Sequence, residues 1–400
     1  MGVFAAILLG SGLVYALAIG SFAVGFRRVV REREDGPSPR PHLHTSTPPH
    51  VTVIVPARDE AASITACLDS IFAGDYPEDR FEVLVVDDLS GDATPDLVRR
   101  AMARYNEAAI PAGFESDDEP PRLRLISMPE NEDRARAHKK RAIEKGIEHA
   151  RGEIILTTDA DCTVPPGWIR TMAATFDDGT ALVSGPVLYP TGSPAADVAA
   201  LEFLGLVAVG AGAIGIGRPN LCNGANVAYR RDVFHDLGGF SGIDHLTSGD
   251  DELLMQKIAY TTDWRVRFCP DPNAAVLTDA PDSPGAFFEQ RRRWASKGAH
   301  YPHPALVALI GAIYTFYVVL LGGLLALPFV PGLALPLLTG FALKALPEAA
   351  LLGPACRHFG RARLMAYFLP AQLLHLPYIV AMGAAGALGG YEWKGRRIDR

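Results

Sequence analysis

The sequence has few cysteines, and they are scattered. Its five cysteines include no Cys-x-x-Cys pair and are odd in number, so neither a zinc knuckle nor a disulfide framework is predicted. An excess of positive charge is also missing, because the formal net charge is −7 at pH 7. Broad nucleic-acid binding, which would require a basic face, is therefore not expected. Reduced thiols in a cytosolic domain are the simplest interpretation.

Charge is absent from the first part of the chain. Gly2 to Gly25 contains no charged residue and is long enough to cross a bilayer as a helix. A cleaved signal peptide would have basic residues before its apolar core, whereas here four arginines follow it, between residues 27 and 33. The positive-inside rule then places the next domain in the cytoplasm. We predict a transmembrane helix over 1–26 and a basic, proline-rich linker over 27–50.

Long apolar runs return at the other end, within residues 303–390, and predict two or three membrane helices. Lys344 and Glu348 could pair within the bilayer or face a lipid-binding groove, and charges at that depth suggest function. Three full crossings would place the basic tail, 391–400, outside, against the charge rule. Because Pro370 and Pro377 interrupt the last run, it could instead be re-entrant or interfacial.

Between these ends, over residues 51–302, predicted strands alternate with amphipathic helices. Apolar runs predict strands at 51–55, 81–86, 123–127, 154–156, 181–184 and 264–268, with helices at 61–73, 94–108, 134–150 and 195–213. Strand, helix and strand in succession predict parallel pairing with right-handed crossovers. Ligands of such sheets bind beyond the carboxyl ends of the strands, which is where acidic residues cluster in this sequence.

The stretch from Glu153 to Cys162 has the clearest chemical pattern. Its buried strand ends at Asp159 and Asp161, whose side chains point to the same side of an extended backbone. Two carboxylates aimed at one point repel unless a cation lies between them, and carboxylate oxygens suit Mg²⁺ or Mn²⁺. We predict a metal-bridged phosphate substrate here. An ordinary surface turn is the alternative.

Five motifs, in order, resemble the family 2 glycosyltransferases. The second motif departs from the family pattern, since Leu89 and Ala93 stand where glycine is frequent. The resemblance covers residues 51–301 and implies an α/β fold of GT-A type, a three-layer αβα sandwich with a mainly parallel sheet, here with transmembrane helices at both ends. The motifs are Val53-Ile-Val-Pro-Ala-Arg-Asp-Glu60, Val85-Val-Asp-Asp-Leu-Ser-Gly-Asp-Ala-Thr94, Asp159-Ala-Asp161, Ser248-Gly-Asp-Asp-Glu-Leu-Leu254 and Gln290-Arg-Arg-Arg-Trp294.

The resemblance implies a nucleotide diphosphate sugar as donor and Asp161 as the principal metal ligand, with Asp159 beside it. Asp87 or Asp88 would accept hydrogen bonds from the base and ribose; the alternative, a turn or helix-capping role, suits Asp92 better. A cation at Lys139 would meet the diphosphate, or belong to a solvated basic run with Lys140 and Arg141. The expected donor-binding residues are Pro56, Arg58, Glu60, Asp87, Asp88, Lys139 and Asp159.

The resemblance also implies Asp251 as the catalytic base, with Asp250 where a glutamate is usual. A carboxylate pair at a helix N-terminus is the alternative. One base without a nucleophile partner implies a single displacement with inversion. Residues expected at the diphosphate or acceptor are Gly224, Gln290, Arg293 and Trp294, whereas Arg291, Arg292 and Lys297 fit an ordinary basic belt near the membrane.

These inferences predict a multi-pass enzyme of the cytoplasmic (inner) membrane, with its catalytic domain facing the cytoplasm. It would use Mg²⁺ or Mn²⁺, take a sugar, expected to be a hexose, from its donor, and pass it to a lipid or lipid-linked acceptor. One alternative is a processive polysaccharide synthase, which tends to have more membrane helices for export. Another is an inactive scaffold protein that retains the GT-A fold. Nucleotidyltransferases use similar sheets and metals, but Asp251 and the Gln-x-x-Arg-Trp motif are not expected in them.

Overall fold

The computed structural model describes residues 2–35, 47–107, 121–129, 138–244, 249–295, 301, 303–388, 391–393 and 396–398. Parts of several predictions lie outside these ranges: Ser248, Lys297, most of the proline-rich linker, the start of the helix expected at 134–150 and part of the basic tail. The chain divides into two units. The helical unit comprises residues 1–30, 189–221 and 280–400, and the sheet unit comprises 31–188 and 222–279.

Strands and helices are numbered in chain order. The strands are β1 (Val51–Ala57), β2 (Phe81–Asp87), β3 (Leu123–Ser127), β4 (Ile154–Thr157), β5 (Cys162–Thr163), β6 (Thr180–Ser184), β7 (Val187–Leu188), β8 (Val227–Arg230), β9 (Arg265–Phe268), β10 (Val276–Thr278), β11 (Tyr391–Trp393) and β12 (Arg396–Ile398). The helices are α1 (Gly2–Asp35), α2 (Ile64–Phe72), α3 (Thr94–Glu107), α4 (His138–His149), α5 (Trp168–Ala174), α6 (Pro194–Gly215), α7 (Arg231–Asp236), α8 (Glu252–Thr261), α9 (Pro284–Ala295), α10 (Pro304–Ala326), α11 (Ala334–His358) and α12 (Phe368–Leu388).

The sheet unit is built on a seven-stranded sheet of order β3-β2-β1-β4-β8-β6-β9. β1, β2, β3 and β4 are parallel, as predicted, and β8 runs antiparallel to both of its neighbours. A second sheet has the order β5-β10-β7. Since β1 lies between β2 and β4, the carboxyl ends of these three strands meet at one edge of the sheet.

The first strand continues past the proline that was expected to end it. Pro56 and Ala57 remain in β1, in register with Val86 and Asp87 of β2. β4 pairs only with the part of β1 from Val51 to Ile54. The proline therefore lies beyond the double-sided part of β1, where its missing N–H is tolerated.

The helical unit contains more apolar helix than the sequence analysis predicted. α1 continues through its arginines to Asp35, so the linker expected from residue 27 begins later. After the sheet unit come α9 and three longer, apolar helices, α10, α11 and α12. Including α6, five of the described helices are long and apolar enough to cross a membrane, by length and composition alone. The helix expected at 195–213 was not predicted to have this character.

Lys344 and Glu348 form a buried ion pair, the first of the two possibilities stated for them. Their charged groups lie 2.9 Å apart, and the Lys344 side chain is fully buried. Gln372 accepts a hydrogen bond from Lys344 and donates one to Glu348. These polar groups are therefore satisfied within the bundle rather than directed at a lipid-facing groove.

The buried carboxylate of Glu82, on β2, joins three parts of the sheet unit. Glu82 is 1% exposed and lies 2.7 Å from Arg124 and 2.6 Å from Arg151. Burial alone would raise the pKa of Glu82, but hydrogen bonds from Arg151 and Thr52 lower it. The charged form of Glu82 is therefore favoured by folding, and its contribution to stability is lost as the pH falls through this lowered pKa.

We expect Glu82→Gln to reduce the free energy of unfolding by about 2 kcal/mol, because two guanidinium groups lose a charged hydrogen-bond partner. The thermal unfolding midpoint of the purified chain near neutral pH measures the effect. The difference from the unmodified protein should shrink in acid, because the unmodified protein then loses the same interaction.

Glu78→Gln is the matched control, because Glu78 also pairs with an arginine, Arg122, but is 76% exposed in its side chain. An exposed pair of this kind contributes at most about 1 kcal/mol. Equal shifts for the two variants would contradict the assignment of Glu82 as a buried anchor.

Candidate active site

Acidic residues gather at the edge where β1, β2 and β4 end. Asp88 follows β2 directly, and Asp159 and Asp161 come just after β4. The edge forms because these strands are parallel neighbours, so that segments far apart in sequence reach the same place. The expectation that ligand-binding side chains converge there is thus met by the backbone topology.

The segments after β1 and β2 are joined by an interlocked turn. Asp59 accepts a hydrogen bond from Gly91 N at 2.7 Å, and its own N–H donates to the Ser90 hydroxyl at 3.0 Å. Both Asp59 and Leu89 have positive φ, at 53° and 57°. Leu89 stands where the resembled family often has glycine, which adopts this conformation without strain. Asp92 accepts from Thr94 N at 2.9 Å, in the capping role expected of it.

One wall of the site is formed around Asp88. The Arg58 guanidinium donates to the Asp88 carbonyl at 2.6 Å and lies 3.5 Å from its carboxylate. His138, at the start of α4, approaches the same carboxylate at 3.7 Å. His138 was not predicted to belong to the site, although its position next to Lys139 could have indicated it. The neighbouring Asp87 is buried, and its carboxylate accepts a hydrogen bond from Ser90 N.

Lys139 connects two acidic segments that are about 90 residues apart in the sequence. Its ammonium group lies 2.6 Å from Asp159 and 3.4 Å from Asp250. Burial alone would lower the pKa of Lys139, but the charges of Asp159 and Asp250 raise it above its ordinary value. The alternative interpretation, a solvated basic run, is therefore wrong for Lys139. It is also wrong for Lys140, which is buried and donates to the carbonyl of Ile243 at 2.5 Å.

Gly224 brings the end of β4 and the start of α8 together. Its carbonyl accepts from the Thr157 hydroxyl at 2.9 Å, and its N–H donates to Asp251 at 2.8 Å. A Cβ at Gly224 would lie 3.0 Å from an Asp250 carboxylate oxygen and 3.2 Å from the Lys139 ammonium. A side chain at this position would therefore crowd its neighbours, and Asp250 and Asp251 share one small region with Lys139 and Asp159.

Asp251 has the helix-capping role that was the alternative interpretation for it. It is the N-cap of α8, and its Oδ1 accepts from Glu252 N at 2.7 Å while Oδ2 accepts from Gly224 N. Each carboxylate oxygen has a second lone pair. The capping bonds therefore orient the carboxylate, while each oxygen remains chemically able to accept a proton.

The acidic residues at this edge fit a metal ion that a ligand helps to hold. Among the described residues, no group of three or more His, Cys, Asp or Glu side chains could hold a metal alone. Mg²⁺ commonly uses one or two carboxylates and completes its coordination with water and substrate phosphates, and Asp159 and Asp161 could supply such a pair. The pKa of the nearby Cys67 thiol is raised first by burial and then by the charges of Asp161 and Asp159. The contribution of the two carboxylates indicates a negative electrostatic field at this edge.

Other predicted residues are not brought to this group by any described contact. Pro56 is part of β1, and Glu60 accepts a hydrogen bond from the Ser63 hydroxyl at 3.0 Å. Gln290 lies in the helical unit, where it accepts hydrogen bonds from Tyr189 at 3.2 Å and Arg291 at 2.7 Å. The expected contacts of Gln290, Arg293 and Trp294 with a diphosphate or acceptor remain predictions.

The basic motif on α9 contains a buried arginine, Arg291, which was predicted to fit an ordinary basic belt near the membrane. Arg291 is 3% exposed and lies 2.5 Å from Glu202 of α6. Its guanidinium carbon is 4.2 Å from the centre of the Trp294 ring and 4.6 Å from that of Phe287. Arg291 therefore fixes Trp294 and ties α9 to α6. A plain charge pattern of three consecutive arginines could not reveal which one is buried.

Comparison with known proteins identifies two matching family models. The model for glycosyl transferase family 2 matches residues 52–238. The model for glycosyl transferase family group 2 matches residues 154–382, which is more than half of the chain. Both matches include the edge that carries Asp159 and Asp161.

Two curated relatives illustrate the similarity. Glycosyltransferase AglE of Haloferax volcanii is 31% identical over 210 residues, covering 52% of this chain and 60% of that protein. β-Monoglucosyldiacylglycerol synthase of Synechocystis sp. is 26% identical over 299 residues, covering 72% of this chain and 56% of that protein. The chain thus spans less than two thirds of the length of either relative.

A solved structure matches nearly the whole chain. It is the mannosyltransferase PcManGT from Pyrobaculum calidifontis in complex with GDP-Man and Mn²⁺, and it covers 96% of this chain and 98% of its own. The TM-score is 0.57 and the sequence identity is 23%. This likeness bears on the fold, and it confirms the GT-A type of architecture predicted from the motifs.

Replacing Lys139 by methionine removes a positive charge from a site that favours cations. We expect Lys139→Met to bind Mn²⁺ at least about tenfold more tightly in the absence of other ligands, because like-charge repulsion is relieved near Asp159. Mn²⁺ titration followed by electron paramagnetic resonance measures this affinity.

The control is Lys145→Met on the same helix, because Lys145 pairs with the exposed Glu148, at 2.9 Å, and not with a carboxylate of the proposed site. Its Mn²⁺ affinity should equal that of the unmodified chain. Weaker or unchanged Mn²⁺ binding in Lys139→Met would contradict a cation site at Asp159 and Asp161.

Proposed function

Because the chain belongs to the family 2 glycosyltransferases, we propose that it transfers a sugar from a nucleotide diphosphate sugar to a lipid or lipid-linked acceptor. The observation that supports this most is the grouping of Asp159, Lys139, Asp250 and Asp251 at the carboxyl edge of a parallel sheet. A cationic bridge, a negative edge and an oriented carboxylate are the parts that this reaction requires.

The nucleoside end of the donor is proposed to bind beside Asp88. The carboxylates of Asp87 and Asp88 can accept hydrogen bonds from a base or a ribose hydroxyl. Arg58 and His138 hold Asp88 from two sides, at 3.5 Å and 3.7 Å.

The diphosphate is proposed to lie between Lys139 and the Asp159–Asp161 pair. Asp161, with Asp159, would hold Mg²⁺ or Mn²⁺, and the bound ion supplies stabilisation of the negative charge that grows on the leaving diphosphate. Lys139 remains protonated because its pKa is raised, so it can exchange part of its pairing with Asp159 for a phosphate oxygen. This exchange would couple donor binding to the release of Asp159.

Asp251 is proposed as the general base. In a single displacement with inversion, the acceptor oxygen bonds to the anomeric carbon as the bond to the diphosphate breaks, and the acceptor proton passes to Asp251. Backbone hydrogen bonds from Gly224 and Glu252 hold this carboxylate in place. Asp250, paired with Lys139, is proposed to hold the ammonium group rather than to take a proton.

The acceptor is proposed to come from the membrane. Two observations support this: the five apolar helices of membrane-spanning length, and the name of the Synechocystis relative, which is a diacylglycerol glycoside synthase. The arginines that follow the apolar part of α1 favour the cytoplasmic face for the domain that comes next. The protein is therefore proposed to act at the cytoplasmic side of the inner membrane.

Asp251→Asn should lower kcat by at least about a hundredfold while leaving donor affinity nearly unchanged, because asparagine keeps the cap but cannot accept the proton. The rate of nucleotide sugar turnover in detergent measures kcat. Isothermal titration calorimetry with the donor, in the absence of acceptor, measures donor affinity.

Asp271→Asn serves as control, because Asp271 also caps a short helix through Asn273 N at 2.9 Å but has no proposed catalytic part. The control should retain near-normal kcat. A parallel loss of donor affinity and folding stability in Asp251→Asn would instead assign Asp251 a purely structural role.

The proposed activity is tested by incubating membranes that contain the protein with a panel of labelled nucleotide sugars. We expect a single labelled lipid, identified by mass spectrometry, whose formation stops with EDTA and returns with Mn²⁺ or Mg²⁺. Asp161→Asn should show the same loss without recovery at ordinary metal concentrations.

Three other outcomes would each exclude part of the proposal. A ladder of polymers would favour the processive synthase. Full activity in EDTA would exclude a requirement for a divalent metal ion. Failure to bind any nucleotide sugar would favour a scaffold protein.

A further inference from the structure

The five helices of membrane-spanning length do not make equivalent contacts within the helical unit. We infer that only α1, α10 and α11 cross the membrane, and that α6 and α12 are held in one leaflet, at the end where α1 carries its arginines. The C-terminal tail then returns to the side on which α1 continues into the sheet unit.

α1 and α11 run in the same direction through the bundle. Near the start of both helices, Gly340 packs against Leu8, at 3.2 Å from a Cβ built on the glycine. Near their ends, the Phe26 and His358 rings are 6.1 Å apart. The two helices are therefore aligned over about 27 Å, the length of 18 residues, which is close to the hydrocarbon thickness of a bilayer.

α10 runs in the opposite direction beside them. Tyr317 lies against Tyr15, with hydroxyl groups 3.1 Å apart, and further along α10 Gly323 lies against Phe4. These three helices thus define a bundle with two distinct ends. The basic end has Arg27 and Arg357, and the uncharged end has the segment 327–333, which contains no charged residue.

Both ends of α6 lie at the basic end. Asp197, in its first turn, is 4.0 Å from Arg363 in the turn after α11. At the other end of α6, Gly212 and Gly215 pack directly on the backbone of α1 near Gly25. A helix of 22 residues that crossed the bilayer would have its ends about 33 Å apart along the membrane normal. α6 therefore lies along the membrane surface.

The chain after α6 also folds back instead of continuing. Gly217 has φ of 72°, and Arg218 N donates to the Ala213 carbonyl at 2.8 Å, which reverses the chain. The Leu221 carbonyl then lies 2.5 Å from a Cβ built on Gly210. The strands before and after this segment, β6 and β8, are hydrogen-bonded neighbours in one sheet, so both ends of the segment must be on one side of the membrane.

α12 starts at the basic end and reaches only the middle of the bundle. It follows Arg363, and its first turns bring Gln372 to Lys344, at 2.5 Å, and His375 to Tyr317, at 3.3 Å. Lys344 lies near the middle of α11, so these contacts are about half-way between the two ends. The buried Lys344–Glu348 pair thus holds the first half of α12.

The second half of α12 does not advance along α10 towards the uncharged end. The carbonyl of Val380 accepts from Tyr314 at 3.1 Å, and Gly383 lies against the same ring. The step from His375 to Gly383 is about 12 Å along α12, yet the partner on α10 moves from Tyr317 back to Tyr314. In a further crossing, Gly383 would instead have moved on towards the end of α10.

Contacts of Tyr378 hold the middle of α12 against α6 and α9. Its hydroxyl is 3.3 Å from Glu202 of α6, and its ring is 5.6 Å from that of Phe287 on α9. The residues of α9 that follow, 289–293, are all charged or polar and cannot lie in hydrocarbon. Three leucines of α12 are each more than 60% exposed and face the acyl chains of this leaflet, namely Leu369, Leu373 and Leu374.

The charge of the C-terminal tail agrees with this arrangement. Residues 394–400 contain four basic side chains and one acidic. With three crossings the tail lies on the same side as the arginines after α1, so both basic segments obey the positive-inside rule. A fourth crossing by α12 would separate them.

The test uses single cysteines in the full-length protein and a membrane-impermeant maleimide applied to intact cells and to lysed cells. Phe329→Cys marks the uncharged end, since Phe329 is 86% exposed, Glu34→Cys marks the basic end, and Asp399→Cys marks the tail. The unmodified chain, with its five native cysteines, sets the background. We expect Phe329→Cys to be labelled in intact cells, and Glu34→Cys and Asp399→Cys only after lysis.

Labelling of Asp399→Cys together with Phe329→Cys in intact cells would overturn the inference. A second readout does not depend on introduced cysteines. Green fluorescent protein fused after Arg400 should fluoresce, and alkaline phosphatase fused there should be inactive; an active phosphatase fusion would show that α12 crosses the membrane.

Discussion

The candidate site depends on one ammonium group that lies between carboxylates from two distant segments. Without Lys139, Asp159 after β4 and Asp250 before α8 would repel each other. Gly224 eases their approach, because a Cβ there would be in tight contact with both Asp250 and Lys139. The same charge balance prepares the site for a ligand, since a phosphate can take over part of the pairing of Lys139 while a divalent ion takes over that of Asp159.

The helical unit also contains charged side chains, and these are buried away from water. Lys344 and Glu348 neutralise each other and share Gln372, so that neither of these two charges is left unpaired. Arg291 is treated similarly nearer the surface, with Glu202 as its ionic partner and the ring of Trp294 below it. Both arrangements fix the position of a helix, α12 in the first case and α9 in the second.

Much of the fold and part of the site could be predicted from local pattern. The apolar runs and the acidic residues that follow them are properties of single segments, and these gave β1, β2, β4 and the edge at Asp159. The role of β8 could not be predicted, because its four residues gain their strand character from neighbours 70 residues away. Likewise, three consecutive arginines look equivalent in sequence, and only the packing of α6 against α9 makes Arg291 the buried one. The depth inferred for α12 depends on contacts with four other helices, which no hydropathy pattern contains.

The direct backbone contact of α1 with α6 affects how α1 would tilt in membranes of different thickness. The apolar part of α1, residues 2–26, is about 37 Å long, which exceeds the hydrocarbon layer of about 30 Å. Tilting absorbs such a mismatch. Because α1 packs against α6 near Gly25 and against Gly340 of α11 near Leu8, a tilt of α1 would carry these helices with it. A thinner or thicker bilayer would then tilt the packed helices together.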